Sequence, residues 1–86
     1  MSSWIVYVLR CKDDTLYTGV TTDIERRVNE HNLDDKLAAS YTRGRRPVKL
    51  VYKEDCDDRS QALKREIGIK KLKRKQKEAL IAAQSI

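Results

Sequence analysis

The sequence predicts a small α+β fold: a three-stranded, mostly antiparallel sheet flanked by helices, in the order ββαβαα. Three observations predict it. Three short segments are rich in β-branched and aromatic residues, and the first two are joined by a tight turn signal. Capped segments with helical spacing follow the second and third of them. The chain has 86 residues, and one this short buries only roughly 60% of the surface it exposes when unfolded, which leaves room for one core.

The elements follow in order. Trp4 to Cys11 is apolar almost throughout and reads as a strand covered on both faces. Lys12-Asp13-Asp14 is the turn, and Thr15 to Val20 the return strand. Asp-Asp is a poor type I′ pair, so a three-residue loop is favoured. That loop sets Tyr7 opposite Gly19 and Leu9 opposite Tyr17. Both tyrosines then share one face, ~7–8 Å apart, with open space at Gly19. Thr22 or Asp23 caps a helix over Ile24 to Asn32. Residues 33–46 read as irregular, with one helical turn around Leu37 to Ser40. Pro47 opens a third strand, Val48 to Tyr52. Asp57 or Asp58 caps a helix over Arg59 to Lys70, and a last helix covers Lys73 to Ala83.

Composition excludes several classes. No apolar run approaches the ~20 residues of a membrane span, and the N-terminus carries no signal-peptide pattern. Cys11 and Cys56 are too few for a disulfide scaffold, and with one histidine they match no structural zinc spacing. Two reduced, partly buried thiols in a cytoplasmic protein are expected. The net charge of +6 is unevenly placed. Residues 43–53 carry five basic and no acidic side chains, residues 54–58 four acidic ones, and residues 59–78 nine basic against two acidic. Two basic segments with an acidic joint point to an anionic partner, nucleic acid above all, and to no membrane.

Helical wheels single out three residues. With Ile24 at the centre of the first stripe, Val28, His31 and Arg27 fall within about 60° of it, so Arg27 and His31 border the core one turn apart. With Leu63 and Ile67 taken as one apolar pair and Ala62 and Ile69 as another, Glu66 falls between them. A carboxylate in a buried arc is costly unless it is paired or binds a metal. Both readings stand at this point: a salt bridge to Arg27 or another cation, or a hard-metal ligand.

In combination these residues resemble the GIY-YIG nuclease family. Ile5-Val6-Tyr7 matches its first motif, Tyr17-Thr18-Gly19 its second, Arg27 its helical arginine and Glu66 its metal-binding glutamate. The resemblance runs from Trp4 to Leu80 and is nearest to the small single-domain bacterial members. The literal GIY and YIG triplets are degenerate here. The asparagine often found after the glutamate is missing, with Gln76 the only polar stand-in.

The resemblance implies one GIY-YIG-like nuclease domain over residues 1–86. It implies hydrolysis of phosphodiesters in nucleic acid, DNA ahead of RNA, with one Mg²⁺ or Mn²⁺ on Glu66. Tyr7, Tyr17, Arg27, His31 and Glu66 would be catalytic. Gly19, Tyr41, Arg43, Arg45, Arg46, Lys70, Lys71, Lys73 and Arg74 would bind substrate. Two rival readings are a non-catalytic nucleic-acid-binding module using the basic C-terminal helix, with tyrosines stacking bases, and a protein–protein adaptor using the same helix.

Overall fold

The computed structural model describes residues 4–84. Strands β1 (Trp4–Arg10) and β2 (Leu16–Thr21) form the expected hairpin. The Asp14 N–H donates to the Cys11 carbonyl at 2.9 Å, and the Cys11 N–H donates to the Thr15 carbonyl at 2.9 Å. Asp14 sits at φ 68°, a left-handed conformation that Asp tolerates better than most side chains and that a three-residue hairpin loop requires. The Asp13 carboxylate accepts from the Thr15 N–H and hydroxyl at 3.1 and 2.6 Å, which fixes the turn. Tyr7 therefore pairs with Gly19 and Leu9 with Tyr17, the register the longer loop predicts.

Strand β3 (Lys49–Cys56) lies on the other side of β1, giving the order β2-β1-β3 with both pairings antiparallel. The strand runs four residues beyond the expected Tyr52, into the acidic joint. Glu54, Asp55 and Cys56 pair with Val6, Ile5 and Trp4. An edge strand tolerates such charges, since its outer side faces water. Tyr52 and Cys56 are buried, and Glu54 accepts from the Tyr52 hydroxyl at 2.8 Å and from Arg65 at 2.9 Å. A bulge at Val51 sets Tyr52 opposite Val8 but Leu50 opposite Leu9. The extra residue turns Val48 and Leu50 to one face of the sheet and Tyr52 to the other.

Helices cover both faces. Helix α1 (Ile24–Leu33) is capped by Asp23, which accepts from the Arg26 N–H at 3.1 Å. Its Ile24 and Val28 pack on Tyr7, Leu9, Cys11 and Val48. Asn32 clamps the start of β3, accepting from the Val48 N–H at 2.7 Å and donating to its carbonyl at 3.0 Å. The short helix α2 lies at Ser40–Arg43, later than the expected turn at Leu37 to Ser40. Asp34 explains the shift: its carboxylate accepts from the Lys36 and Leu37 N–H groups, each at 2.9 Å, and holds that stretch as a turn.

Helices α3 (Arg59–Lys70) and α4 (Arg74–Gln84) cover the opposite face, burying Ala62 and Ile69 and packing the half-buried Leu80 and Ile81 against Val6, Val8, Tyr52 and Cys56. Asp58 caps α3, accepting from the Gln61 N–H at 2.8 Å. Gln76 is committed to α4, where its side chain accepts from the Lys73 N–H at 2.9 Å as half of a capping box. The buried line of α3 runs through Ala62 and Ile69, both 0% exposed, whereas Ile67 is 53% exposed. Of the two apolar pairs that flank Glu66 on the wheel, only Ala62 and Ile69 are therefore fully buried, and the expected burial does not extend to Ile67. The small Ala62 allows a close approach to the strands, and the turn that points it inward points Ile67 out. Cys11 and Cys56 are buried in separate clusters on the two faces, and burial raises both thiol pKa values. Arg10 and Arg74 both bind Glu78 and Asp14, tying the hairpin turn to α4. No described helix is long and apolar enough to cross a membrane.

The two isoleucines of α3 separate the packing assignments. Ile69→Ala removes a fully buried side chain and lowers unfolding stability by about 2–5 kcal/mol. Ile67→Ala changes it by less than about 1 kcal/mol. Urea unfolding of the two variants measures both.

Candidate active site

The face of the sheet under α1 carries a polar cluster inside an apolar surround. β1 supplies Tyr7, β2 supplies Tyr17 and Gly19, α1 supplies Arg27 and His31, and α2 supplies Tyr41 and Thr42. Tyr7 is 1% exposed and His31 is 0% exposed. Buried polar atoms must be hydrogen-bonded, and these are. The Tyr7 hydroxyl lies 2.8 Å from His31 Nε2, and His31 Nδ1 lies 2.8 Å from Thr42 Oγ1.

The proton positions in this chain follow by elimination. Thr42 donates its one hydroxyl proton to the Ala39 carbonyl at 3.0 Å. Toward His31 it can only accept, so Nδ1 carries the imidazole proton. Burial, reinforced by the Arg27 charge, pushes the His31 pKa down to about 4, so the ring is neutral. Nε2 is then an acceptor, and the Tyr7 hydroxyl donates to it. Burial raises the Tyr7 pKa to about 12, against the lowering effect of the neighbouring Arg27 guanidinium. The resting pair is a neutral phenol and a neutral imidazole.

Gly19 is required by this arrangement. A Cβ there would stand 2.5 Å from the Tyr7 hydroxyl and 2.7 Å from its Cζ. The phenol reaches across β2 only because the residue opposite has no side chain. Tyr17 covers the cluster, with its ring centroid 6.4 Å from Tyr7 and 5.3 Å from His31. Tyr41 stacks on Tyr17 at 5.7 Å, with an interplanar angle of 30°.

Arg27 donates to Glu30 at 3.0 Å and to the Leu37 carbonyl at 2.7 Å. Burial works against its charge, but Glu30 and the Tyr7 hydroxyl outweigh that, and its pKa is raised. Glu66 is not enclosed: its side chain is 18% exposed at the border of the buried line of α3, and it faces Lys70 at 3.5 Å rather than Arg27. Its charge reaches the Tyr7 hydroxyl, where it contributes to the raised pKa. Among the described residues no group of three His, Cys, Asp or Glu side chains could hold a metal. A hard divalent ion on the Glu66 carboxylate would therefore take its other ligands from water and phosphate. That donor set suits Mg²⁺, which keeps waters and binds through one or two carboxylates plus substrate.

The basic residues divide into two groups. Arg46 donates to the His31 carbonyl at 2.7 Å, the Asp34 carbonyl at 3.1 Å and Asp35 at 2.7 Å, and so caps the end of α1. Arg74 is held by Asp14 and Glu78. Arg45 contacts Asp13 at 3.0 Å and the Tyr41 carbonyl at 2.8 Å. Arg43 donates only a long 3.4 Å bond to the Ala38 carbonyl, and Lys71 and Lys73 have no ion pair among the described residues. The sequence reading missed Thr42. It lies eleven residues from His31 in a stretch without periodicity, so no spacing marked it. A surface groove of about 890 Å³ lies elsewhere, between β3 and α4.

Known proteins resemble this chain over most of its length. The model of the GIY-YIG catalytic domain matches residues 3–79. A UPF0213 protein of Desulfotalea psychrophila is 56% identical over 81 residues, covering 94% of this chain and 73% of that protein. One from Halobacterium salinarum is 57% identical over 75 residues, covering 87% and 95%. The solution structure of the UPF0213 protein BH0048 from Bacillus halodurans superposes with a TM-score of 0.61 at 40% identity, covering 94% of this chain and 84% of that one. That of the E. faecalis protein EF2693 gives 0.62 at 44% identity, covering 96% and 85%.

Two measurements test the cluster. The unfolded chain binds a proton at an ordinary histidine pKa near 6.5, whereas the folded His31 does so only near 4. Between those values the unfolded state holds more protons, so stability falls as pH falls. The stability advantage of wild type over His31→Gln therefore shrinks between pH 7 and pH 4, by up to about 3 kcal/mol. Urea unfolding of both proteins across that range reads it. Gly19→Ala forces Tyr7 away from His31 and costs about 1–3 kcal/mol, measured the same way.

Proposed function

We propose an endonuclease: this chain belongs to the GIY-YIG family, and its residues 1–86 act as one domain that hydrolyses phosphodiester bonds, in DNA ahead of RNA, in the cytoplasm. The family acts on nucleic acid, and its nucleases generally use divalent metals. The observation that carries the reading is the Tyr7–His31–Thr42 chain, a buried phenol whose proton points at a neutral imidazole. Tyr7 is covered at rest, so substrate must open the cover over it; Tyr7 then takes a proton from the attacking water as it passes its own to His31 Nε2. Burial raises the phenol and lowers the imidazole, so both rest neutral, and the proton transfers accompany attack and do not precede it.

Arg27 supplies a fixed cation beside Tyr7, where it offsets phosphate charge and favours phenolate character. Reaching a phosphate requires it to exchange its bond to the Leu37 carbonyl for the substrate. Glu66 would hold one Mg²⁺ or Mn²⁺, which when bound supplies positive charge against the phosphate and the departing oxygen. Tyr17 shields the pair from bulk water, and Gly19 keeps space for Tyr7. Arg43, Arg45, Lys70, Lys71 and Lys73 hold the backbone, while Arg46 and Arg74 serve the fold.

A cleavage assay tests the reading. Wild type and Glu66→Ala, prepared identically, are incubated with supercoiled plasmid and with single-stranded and branched DNAs, in Mg²⁺, Mn²⁺ or EDTA. Nicking that requires metal and is lost in Glu66→Ala is expected. Both proteins shifting DNA equally while neither cuts any of it would replace the nuclease with the binding module.

A further inference from the structure

We propose that Tyr41 is a stacking platform for one nucleobase beside the scissile phosphate, and that the base takes the place the Arg45 guanidinium holds at rest. The proposal rests on the endonuclease reading and gives it a specificity-determining residue and a ligand: a base that has left its own stack, in a single strand or extruded from a duplex.

Four observations carry it. First, Tyr41 is 37% exposed although it is a large aromatic residue next to a buried polar cluster. Its helix does not need that ring for anchorage, because Thr42 and Ala38, at 0% and 5% exposure, hold the segment. Second, the ring is two aromatic contacts from the reacting phenol: 5.7 Å to Tyr17, then 6.4 Å from Tyr17 to Tyr7. Those separations put Tyr41 within reach of a nucleoside adjoining a phosphate at Tyr7. Third, Tyr17 stacks against the ring and the Thr42 bond to His31 anchors the helix that carries it, so little freedom is lost when a base lands on it.

Fourth, the guanidinium carbon of Arg45 already lies 4.1 Å from the Tyr41 centroid. A planar, delocalised cation on an aromatic face occupies the position a base would take. Its tethers are Asp13 at 3.0 Å and the Tyr41 carbonyl at 2.8 Å, both exposed bonds. The guanidinium can exchange its Asp13 pair for one to a phosphate oxygen, which leaves the exposed cation–π contact, roughly 2- to 5-fold, to set against a base on the aromatic ring at roughly 5- to 150-fold. The base wins that exchange, and the displaced guanidinium is left beside the strand, free to meet a phosphate oxygen. Stacking reads any base, so the platform selects for an unstacked nucleotide and not for sequence.

The test is binding in EDTA, where nothing is cut. The probes are a short fluorescein-labelled DNA strand and the same strand built of abasic residues, titrated by anisotropy with wild type, Tyr41→Leu and Tyr41→Phe. Unfolding midpoints confirm that the variants fold. Tyr41→Leu is expected to weaken binding of the base-bearing strand by roughly 5- to 150-fold and to leave the abasic strand unchanged, with Tyr41→Phe close to wild type on both. Equal loss on both strands, or loss on neither, overturns the platform. A base-dependent loss in a protein that cuts nothing with Mg²⁺ keeps the platform while the nuclease reading falls.

Discussion

A buried phenol that must donate its proton to a buried imidazole is the constraint on which the rest of the structure depends. Neither group can be left unsatisfied in an apolar layer, because each would cost about 1–3 kcal/mol. Satisfying both fixes three elements at once. α1 must set His31 over β1, the short helix α2 must bring Thr42 to the far side of the ring, and β2 must carry a glycine opposite Tyr7. The Thr42 bond to the Ala39 carbonyl then settles the tautomer. The irregular segment after α1 is thus the outer wall of the cluster.

The charges around this wall do two different jobs. Arg46 and Arg74 complete the fold: one closes the carbonyl end of α1, the other ties α4 to the hairpin turn. Arg27 is held by Glu30 and a loop carbonyl, so its cation waits beside Tyr7 in a defined orientation. Glu66 stands at the border between the packed line of α3 and water. A carboxylate there avoids the desolvation cost of full burial and keeps an oxygen that a hydrated ion could share. Net charge alone does not distinguish these roles; contacts do.

Much of the fold was legible in the sequence because local chemistry determined it. The hairpin register followed from the Asp13-Asp14 loop, and with it the Tyr7–Gly19 pairing. Asp23 and Asp58 marked two helix starts. What was illegible depended on distant partners. The end of β3 could not be read from Glu54 and Asp55, which look like a loop until β1 pairs with them. The bulge at Val51 has no local signal. The wheel of α3 offered two inward faces, and only the approach of Ala62 to the strands chose between them. At the site, the motif positions Tyr7, Tyr17, Arg27, His31 and Glu66 could be named, but Thr42 could not, since nothing near it marks it as the partner of His31.

The tautomer of His31 is the quantity to measure first, and as the only histidine in the chain it is unambiguous to assign. Long-range ¹H–¹⁵N correlation spectra of the ¹⁵N-labelled protein at pH 6–7 report which ring nitrogen carries the proton. The Tyr7–His31–Thr42 chain predicts a neutral ring protonated at Nδ1, with an unprotonated Nε2 that changes its shift in Tyr7→Phe. A ring protonated at Nε2, or an imidazolium at pH 6, would contradict it, because Tyr7 could then not donate to His31.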